Sequence, residues 1–497
     1  MKRRAAAFAA LVLVTCAGLT SRAADETRAR PDAVASVQDA LAADLDRLFA
    51  DPALARALVG IRIESLTSGR LLYERNGQKL VVPASNMKLL TMSVAAEKLG
   101  WDYTFETRLE AAGRIQNGVL TGDLIVTGTG DPSIVAQDLG PAALFGEWAS
   151  ALRAAGVRRV DGRILGDDHA FDDEGLGAGW AWDYLTAGYA APSGALSYNE
   201  NVVVARIAPG AVAGEPGRVE LAPPGSGLEI VNEVETGPAG SPVSLELGRL
   251  PGSSRLTVRG RIPAGRDVVS RTTTVEHPTR FFVEGLRLAL AEHGIVVSGG
   301  AWDLDDVEVA PAAPRQAIAR RQSLPLSYLA GYFMKVSQNF YGEMFLKALG
   351  RSTGRPGSAA AGRQVVRDTL ASWGVPPDAF VMNDGSGLSR YDYVTADTIV
   401  TILKHVWNDP RLRGPFLATL PVGAHDGTLE TRMRGTILDG RVQAKTGTIS
   451  NMRALSGYLE TKSGERIVFS IIANHFTAAN ADIDAVVEKA LVRVADR

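Results

Sequence analysis

The two ends of this chain read alike, and the middle does not. Val59-Gly-Ile-Arg-Ile-Glu-Ser-Leu66 alternates apolar and polar side chains, breaks at Thr67-Ser68-Gly69 and resumes at Arg70-Leu-Leu-Tyr-Glu74, which is the pattern of a β-hairpin. Pro83-Ala84-Ser85-Asn86 then opens a strongly apolar helix over Met87 to Leu99, and Val34 to Leu54 carries apolar residues at helical spacing. The same style returns near Leu324. Helices are expected at Leu326 to Leu349, Gly362 to Trp373 and Ala396 to Trp407. Strands are expected at Gly440 to Lys445, Ala454 to Glu460 and Glu465 to Ile472, followed by a closing helix from Asp482 to Ala495. Between the two blocks, Trp101 to Gly300 breaks into short alternating runs such as Leu124 to Val126 and Arg163 to Leu165, separated by Gly, Pro and Asp. Ile207 to Arg271 is the most strand-like part, with turns at Pro223-Pro-Gly225 and Pro251-Gly252, and Pro278 to His293 is helical. A chain of 497 residues exceeds what one core usually supports. The arrangement that satisfies both facts is an α+β core built from the two ends, helices on an antiparallel sheet, with further domains inserted between.

The first 24 residues read as a secretory signal. Met-Lys-Arg-Arg supplies positive charge, Ala5 to Thr15 an apolar stretch too short to span a bilayer, and Ser21-Arg-Ala-Ala24 the small residues for cleavage before Asp25. The one cysteine, Cys16, lies inside it. Leu13-Val-Thr-Cys16 faintly resembles a lipoprotein cleavage box, but Thr15 stands where a smaller residue is typical, so lipidation is the minor expectation. Cleavage near Ala24 leaves a mature chain without cysteine, which excludes disulfides and thiol chemistry. The expected location is therefore the periplasm or cell envelope. No later segment is apolar for long enough to be a transmembrane helix. Lys+Arg 53 against Asp+Glu 55, a formal charge of -2, lacks the basic footprint of a nucleic-acid partner.

Three short patterns carry chemistry: Ser85-Asn-Met-Lys88, Ser337-Gln-Asn339 and Lys445-Thr-Gly-Thr448. Singly, each has a plain structural reading: Ser85 as a helix N-cap, Asn339 as a buried amide satisfying backbone, Lys445-Thr-Gly as a strand end. Together they make one site. Ser85 at a helix start places Lys88 one turn on, on the same face. A serine hydroxyl needs an adjacent base, and an amine serves only when neutral, so Lys88 needs a lowered pKa. Burial or a second cation such as Lys445 supplies that. Ser337 relays the proton to the leaving amine, and Asn339 orients Lys88 and the substrate amide. The backbone N–H groups of Ser85 and Thr448 are the oxyanion donors. Lys445, Thr446 and Thr448 suit a substrate carboxylate, with Gly447 between them.

These motifs resemble those of the penicillin-recognising serine enzymes. Ser85 and Ser337 stand 252 positions apart (337 minus 85), room for whole domains, and this spacing resembles the D-alanyl-D-alanine carboxypeptidase/endopeptidase family, the class C low-molecular-mass penicillin-binding proteins. Further stretches are similar to that family: Gly128-Thr-Gly-Asp-Pro-Ser133, Ala191-Pro-Ser-Gly-Ala-Leu-Ser-Tyr-Asn-Glu-Asn201, Asp384-Gly-Ser-Gly-Leu-Ser-Arg390, Leu420-Pro-Val-Gly423 and Asp426-Gly-Thr-Leu429. The resemblance runs from about residue 35 to the C-terminus. It implies cleavage between D-amino acids in peptidoglycan stem peptides through an acyl-serine, and binding of β-lactams. It also implies a transpeptidase core of residues 25–98 and 320–497, a second domain of 99–206 and 272–319 inserted into it, and a β-rich third domain of 207–271 inserted into the second. An aspartate of the inserted domain faces the substrate's free amine in relatives. Gly166-Asp167-Asp168-His-Ala-Phe171 aligns with that stretch and Asp167 fits best, although a solvated turn explains Asp167 about as well. Gln338 departs from the aspartate frequent in relatives, at a tolerant position.

Two other classes are open to such a chain. A β-lactamase on the same core needs fast deacylation, and no Glu-x-x-x-Asn element stands in the expected place. A non-catalytic wall-binding protein would tolerate loss of Ser85 or Lys88, and both are present. His425, beside Asp426-Gly-Thr, is read as a loop residue, since no Gly-x-Ser-x-Gly elbow accompanies it. No metal-ligand spacing and no cofactor motif is evident. The oligomeric state stays open.

Overall fold

Ile467, Phe469, Ile471 and Ala473 lie on one face of their strand, Val468 and Ile472 on the other, and all six are buried. A strand apolar on both faces belongs between two layers. That is its place in the computed structural model, which describes residues 31–497 apart from 139, 310 and 312, with side chains from residue 40 onward. The expected signal segment and Cys16 lie outside the described residues.

The core elements are α1 (Pro31–Leu48), β1 (Leu58–Ser65), β2 (Leu71–Arg75), α2 (Met87–Lys98), α3 (Leu326–Lys335), α4 (Asn339–Arg351), α5 (Ala396–Asn408), β3 (Val442–Ile449), β4 (Met452–Glu460), β5 (Arg466–Asn474) and α6 (Asn480–Ala495). The sheet runs in the order β3-β4-β5-β1-β2, antiparallel throughout. Its strands come from both ends of the chain, with β1 pairing Ile61 to Ile471 across 410 positions (471 minus 61). One face packs against α1 and α6 through Leu41, Leu45, Ile61, Ile63, Val487 and Leu491. The other faces the side of α2 to α5, where Tyr458, Val468 and Ile472 share one buried cluster with Leu90, Phe333 and Ile402. Helix α2 is buried from Met87 through Ala96 on every side. Phe469→Ala is expected to cost about 3–5 kcal/mol of stability, because this fully buried ring leaves a cavity in a sheet held from both faces. Chemical unfolding of the variant against the parent chain checks it.

The insertion begins with a long hairpin, Glu106–Gln116 and Val119–Gly128, where the sequence suggested only short runs. Its turn is Asn117-Gly118, both at positive φ (53° and 83°), the hairpin turn that matches strand twist. These strands belong to a seven-stranded mixed sheet covered by helices Ala143–Ala154 and Pro278–Glu292. Two three-stranded sheets follow, one of Val202–Ala208, Arg218–Ala222 and Val269–Thr274, the other of Glu229–Gly237, Ser244–Gly248 and Arg255–Pro263. Both expected limits of the β-rich insert, 206/207 and 271/272, fall inside the paired strands Val202–Ala208 and Val269–Thr274.

Two further differences from the sequence reading concern the site. The helix expected from Leu326 to Leu349 is two helices, because the chain leaves the helical region at Ser337 (φ 63°) before α4 starts at Asn339. The apolar spacing runs on through the break and conceals it. The strand expected to end at Lys445 continues to Ile449, so Lys445-Thr-Gly-Thr448 lies within β3 and pairs along β4.

Candidate active site

Ser85 sits in a single 3₁₀ turn, Ala84–Asn86, that feeds directly into α2. Three contacts hold this turn. The Asn474 side chain at the end of β5 accepts from Val82 N–H (2.7 Å) and donates to Val82 C=O (3.0 Å). Asn86 Nδ2 donates to Ser456 Oγ on β4 at 2.6 Å. Ala84 takes φ 48°, a left-handed conformation that an alanine adopts only when its surroundings impose it. Strand β3 lies close against the turn. A Cβ on Gly447 would come within 2.6 Å of Pro83 O and 3.2 Å of Ser85 N, so only glycine permits this approach.

Lys88 is fully buried, and its Nζ has three partners: Ser85 Oγ at 2.9 Å, Asn339 Oδ1 at 2.7 Å and the Ser386 carbonyl at 2.7 Å. Burial pushes its pKa down to about 7, against the pull of Asp384, Glu343 and Asp392. Lys445 is also fully buried, and Nζ donates to Ser337 Oγ (2.8 Å) and to Thr446 O (2.7 Å). Burial lowers its pKa well below the usual lysine range, with Lys88 adding to the shift. The structure thus brings together Ser85, Lys88, Ser337, Asn339 and Lys445, taken from three segments far apart in sequence. Burial is the largest cause of the lowered pKa of Lys88, and the two buried lysines disfavour each other's charge.

On β3 the hydroxyls are oriented by neighbours. Thr446 Oγ1 donates to Thr428 Oγ1 at 2.7 Å, and Thr448 Oγ1 accepts from the Arg453 guanidinium, itself paired with Asp484. Having accepted that bond, Thr448 keeps its own O–H to donate. Thr448 is exposed, so the edge of β3 is open to a substrate.

Asp167 ends the strand Ile164–Asp167 of the inserted sheet, and the structure does not join it to this cluster. Its carboxylate meets Arg315 Nη1 at 2.9 Å and His169 Nδ1 at 2.9 Å. Burial raises its pKa, but the bonds from His169 and Arg315 outweigh that and hold it below the usual carboxylate range. His425 lies in a loop and pairs with Asp439 at 3.0 Å. Among the described residues two groups of three metal-capable side chains converge, Glu97 with His405 and Asp409, and Asp168 with Asp303 and Asp305; neither includes a residue of the Ser85 cluster.

Sequence reasoning missed how the insertion reaches this site. A segment from Ala178 to Glu200 lies along it: Tyr189 O accepts from Asn339 Nδ2 (3.0 Å), Glu200 Oε2 from Gln338 Nε2 (2.5 Å), Ala178 O from Ser389 Oγ (2.7 Å), and Trp180 Nε1 donates to Asp384 Oδ2 (2.7 Å). Asn199, Glu200 and Asn201 are all at positive φ (52°, 54° and 56°), three successive residues that leave extended structure to aim Glu200 at Gln338. Their motif, Tyr198-Asn-Glu-Asn201, stood out in the sequence, but a positive φ at such residues leaves no periodic trace.

Over residues 41–497 the chain matches the D-Ala-D-Ala carboxypeptidase 3 (S13) family. It is similar to a D-alanyl-D-alanine carboxypeptidase of Actinomadura sp. (strain R39), 35% identical over 491 residues that cover 95% of this chain and 87% of that protein. The D-alanyl-D-alanine carboxypeptidase DacB of Haemophilus influenzae is 26% identical over 431 residues, 85% of this chain and 87% of that one. Among solved structures, penicillin-binding protein 4 (dacB) of Haemophilus influenzae superposes with a TM-score of 0.79 at 24% identity, over 91% of this chain and 100% of that chain. The same protein complexed with a β-lactam superposes at 0.75 with 22% identity, over 91% of this chain and 100% of that chain.

Proposed function

Because this chain belongs to the D-Ala-D-Ala carboxypeptidase 3 (S13) family, and is a serine-type carboxypeptidase on a penicillin-binding fold, we propose that Ser85 is its nucleophile and Lys88 its general base. The observation that carries this assignment is the buried Lys88 Nζ, 2.9 Å from Ser85 Oγ and held on its other sides by acceptors. Lys88 takes the hydroxyl proton as Ser85 Oγ attacks the carbonyl of a D-alanyl-D-alanine bond. The N–H groups of Ser85 and Thr448 receive the oxyanion. Collapse releases D-alanine, whose amine takes its proton by way of Ser337, and water then frees the acyl group from Ser85. Lys445, Thr446 and Thr448, with Gly447 giving the strand room, hold the terminal carboxylate of the substrate.

The substrate is a peptidoglycan stem peptide, and β-lactams are its mimics at the same serine; that the Haemophilus relative is known complexed with a β-lactam supports this. Such a substrate places the enzyme in the cell envelope, delivered by the segment 1–24, and among the described residues no helix is long and apolar enough to cross a membrane. We assign residues 25–98 and 320–497 to the peptidase domain, 99–206 with 272–319 to a second domain and 207–271 to a third, the last extended to 202–274 so that its paired outer strands stay whole. For Asp167 we propose the amine-binding role that the family resemblance implies, with the lone pairs left over from its bonds to Arg315 and His169 as the acceptors.

Intact mass of residues 25–497 with a slight excess of benzylpenicillin tests the assignment. The parent chain is expected to gain one lasting adduct and Ser85→Ala none. Drug consumed without a lasting adduct points to a β-lactamase, and no reaction to a binding protein.

A further inference from the structure

The groups around Lys88 Nζ fix where its lone pair points. An unprotonated amine has two N–H bonds and one lone pair. The Ser386 carbonyl can only accept. So can Asn339 Oδ1, because Asn339 Nδ2 donates to Tyr189 C=O and thereby decides which amide atom faces the lysine. These two acceptors take both N–H bonds and leave the lone pair for Ser85 Oγ. The Ser386 carbonyl is therefore as much a part of the base as Asn339.

The peptide that carries this carbonyl is held from its other side. Its N–H, that of Gly387, donates to Asp384 Oδ1 at 2.6 Å. Asp384 is fully buried, and its second oxygen takes the Ser389 N–H and the Trp180 indole N–H, both at 2.7 Å. Gly387 has φ 81°, and a Cβ there would sit 1.9 Å from Ala84 O, so the peptide lies directly against the turn that holds Ser85. One residue earlier, Gly385 is clamped between two helices: its N–H by Glu343 of α4 (3.0 and 3.2 Å) and its carbonyl by Thr91 Oγ1 of α2 (2.7 Å).

We propose that Asp384 is a positioning residue for Lys88, acting through the Ser386–Gly387 peptide, carboxylate to N–H at one end and carbonyl to Nζ–H at the other. The proposal rests on the reading of Ser85 and Lys88 as nucleophile and base. As Ser85 Oγ gives its proton to Nζ, an ammonium forms against the Ser386 carbonyl. A carbonyl whose peptide N–H is bonded to a carboxylate is the more polarised acceptor, because hydrogen bonds in a chain strengthen one another. The other charged or titratable groups around Lys88 are Glu343 from α4, Asp392 from the same loop as Asp384, and Lys445 from β3. Burial first, and Asp384 second, push Glu343 up to about 8 and Asp392 well above the usual carboxylate range. Both are thus disfavoured as anions beside Asp384.

Asp384→Asn tests this on the full chain, by D-alanine release from a D-Ala-D-Ala stem peptide across pH. In one orientation the new NH₂ opposes Gly387 N–H and breaks the relay; in the other it opposes the Ser389 and Trp180 donors and leaves Gly387 N–H on a neutral oxygen, so the polarisation by a carboxylate is lost in both. The expected result is a kcat about 30-fold lower with KM within about threefold, because the substrate is not touched. The acidic limb of kcat/KM is expected to move down by about one pH unit, since losing the anion makes Lys88 easier to deprotonate. If the single variant does not fold, Trp180→Phe combined with Asp384→Asn removes one opposed donor and is read the same way. An unchanged kcat, or a lower kcat with an unmoved acidic limb, overturns the proposal. An adduct formed by Ser85→Ala would instead overturn the reading on which it rests, whatever the Asp384 variants do.

Discussion

Lys88→Met is expected to slow acylation of Ser85 by benzylpenicillin about 10³-fold, within the range that a positioned general base contributes. Methionine fills nearly the same volume in a fully buried site, so the loss reports chemistry rather than packing. With the amine gone, the serine proton has no acceptor of suitable basicity. Lys445 cannot substitute, because its Nζ bonds Ser337 Oγ and the Thr446 carbonyl, whereas Lys88 Nζ is the amine that bonds Ser85 Oγ. The parent enzyme makes the matching prediction for pH. Lys88 acts only when unprotonated, and burial sets its pKa at about 7. The acylation rate should therefore rise as pH increases through about 7 and be lost below it, whereas an ordinary lysine would place that rise near pH 10. Stopped-flow acylation of parent and variant across pH, with far-UV circular dichroism to show that both are folded, checks both statements. A Lys88→Met chain that acylates within tenfold of the parent would remove lysine from the role of base.

The second large effect comes from a residue with no side chain. Gly447→Ala is expected to reduce acylation about 10²-fold with little change in global stability. The added Cβ would meet Pro83 O at 2.6 Å, a distance that real contacts do not show, and Ser85 N at 3.2 Å. Both atoms are backbone, so neither can rotate away. The strand must retreat from the serine turn by some tenths of an ångström. That widens the gap between the Ser85 and Thr448 N–H groups, and small misplacements of this kind cost orders of magnitude in rate. The fold is expected to tolerate the shift, because β3 is the edge strand of its sheet and keeps its pairing with β4. Acylation kinetics beside a thermal melt separates the two outcomes. A variant that loses stability and activity in parallel would mean that Gly447 serves packing rather than the oxyanion geometry.

Much of this site was legible because its chemistry needs particular residue types at local spacings. Ser85 and Lys88 are one helical turn apart, Ser337 and Asn339 two residues apart, and Lys445 to Thr448 a single run. The strand expected from Glu465 to Ile472 and the apolar helix expected from Met87 to Leu99 are likewise found, at Arg466–Asn474 and Met87–Lys98. What stayed hidden depends on backbone conformation or on distance in sequence. The left-handed Ser337 splits a helix whose apolar spacing continues unbroken. The Asn117-Gly118 hairpin joins two strands longer than the texture of the sequence suggested. Asp384 was visible only as part of a glycine-rich stretch, because its partner on the lysine is a main-chain carbonyl, which no side-chain pattern encodes. Asp167 is a different case: a short motif offered a role through resemblance, and the sequence did not show that Arg315 and His169 would meet its carboxylate.

The contacts from Ala178 to Glu200 bear on when during its synthesis this protein becomes dangerous. Ser85 leaves the ribosome early, but the groups that make it reactive arrive more than 250 residues later, at Asn339, and only near the end, at Lys445. The intervening insertion must itself be folded before Tyr189 can orient Asn339 and Trp180 can reach Asp384. Closing loops of that length is slow relative to local folding. A nascent chain therefore carries an inert serine. Completion of the chain's own topology is then the step that assembles the proposed base and nucleophile.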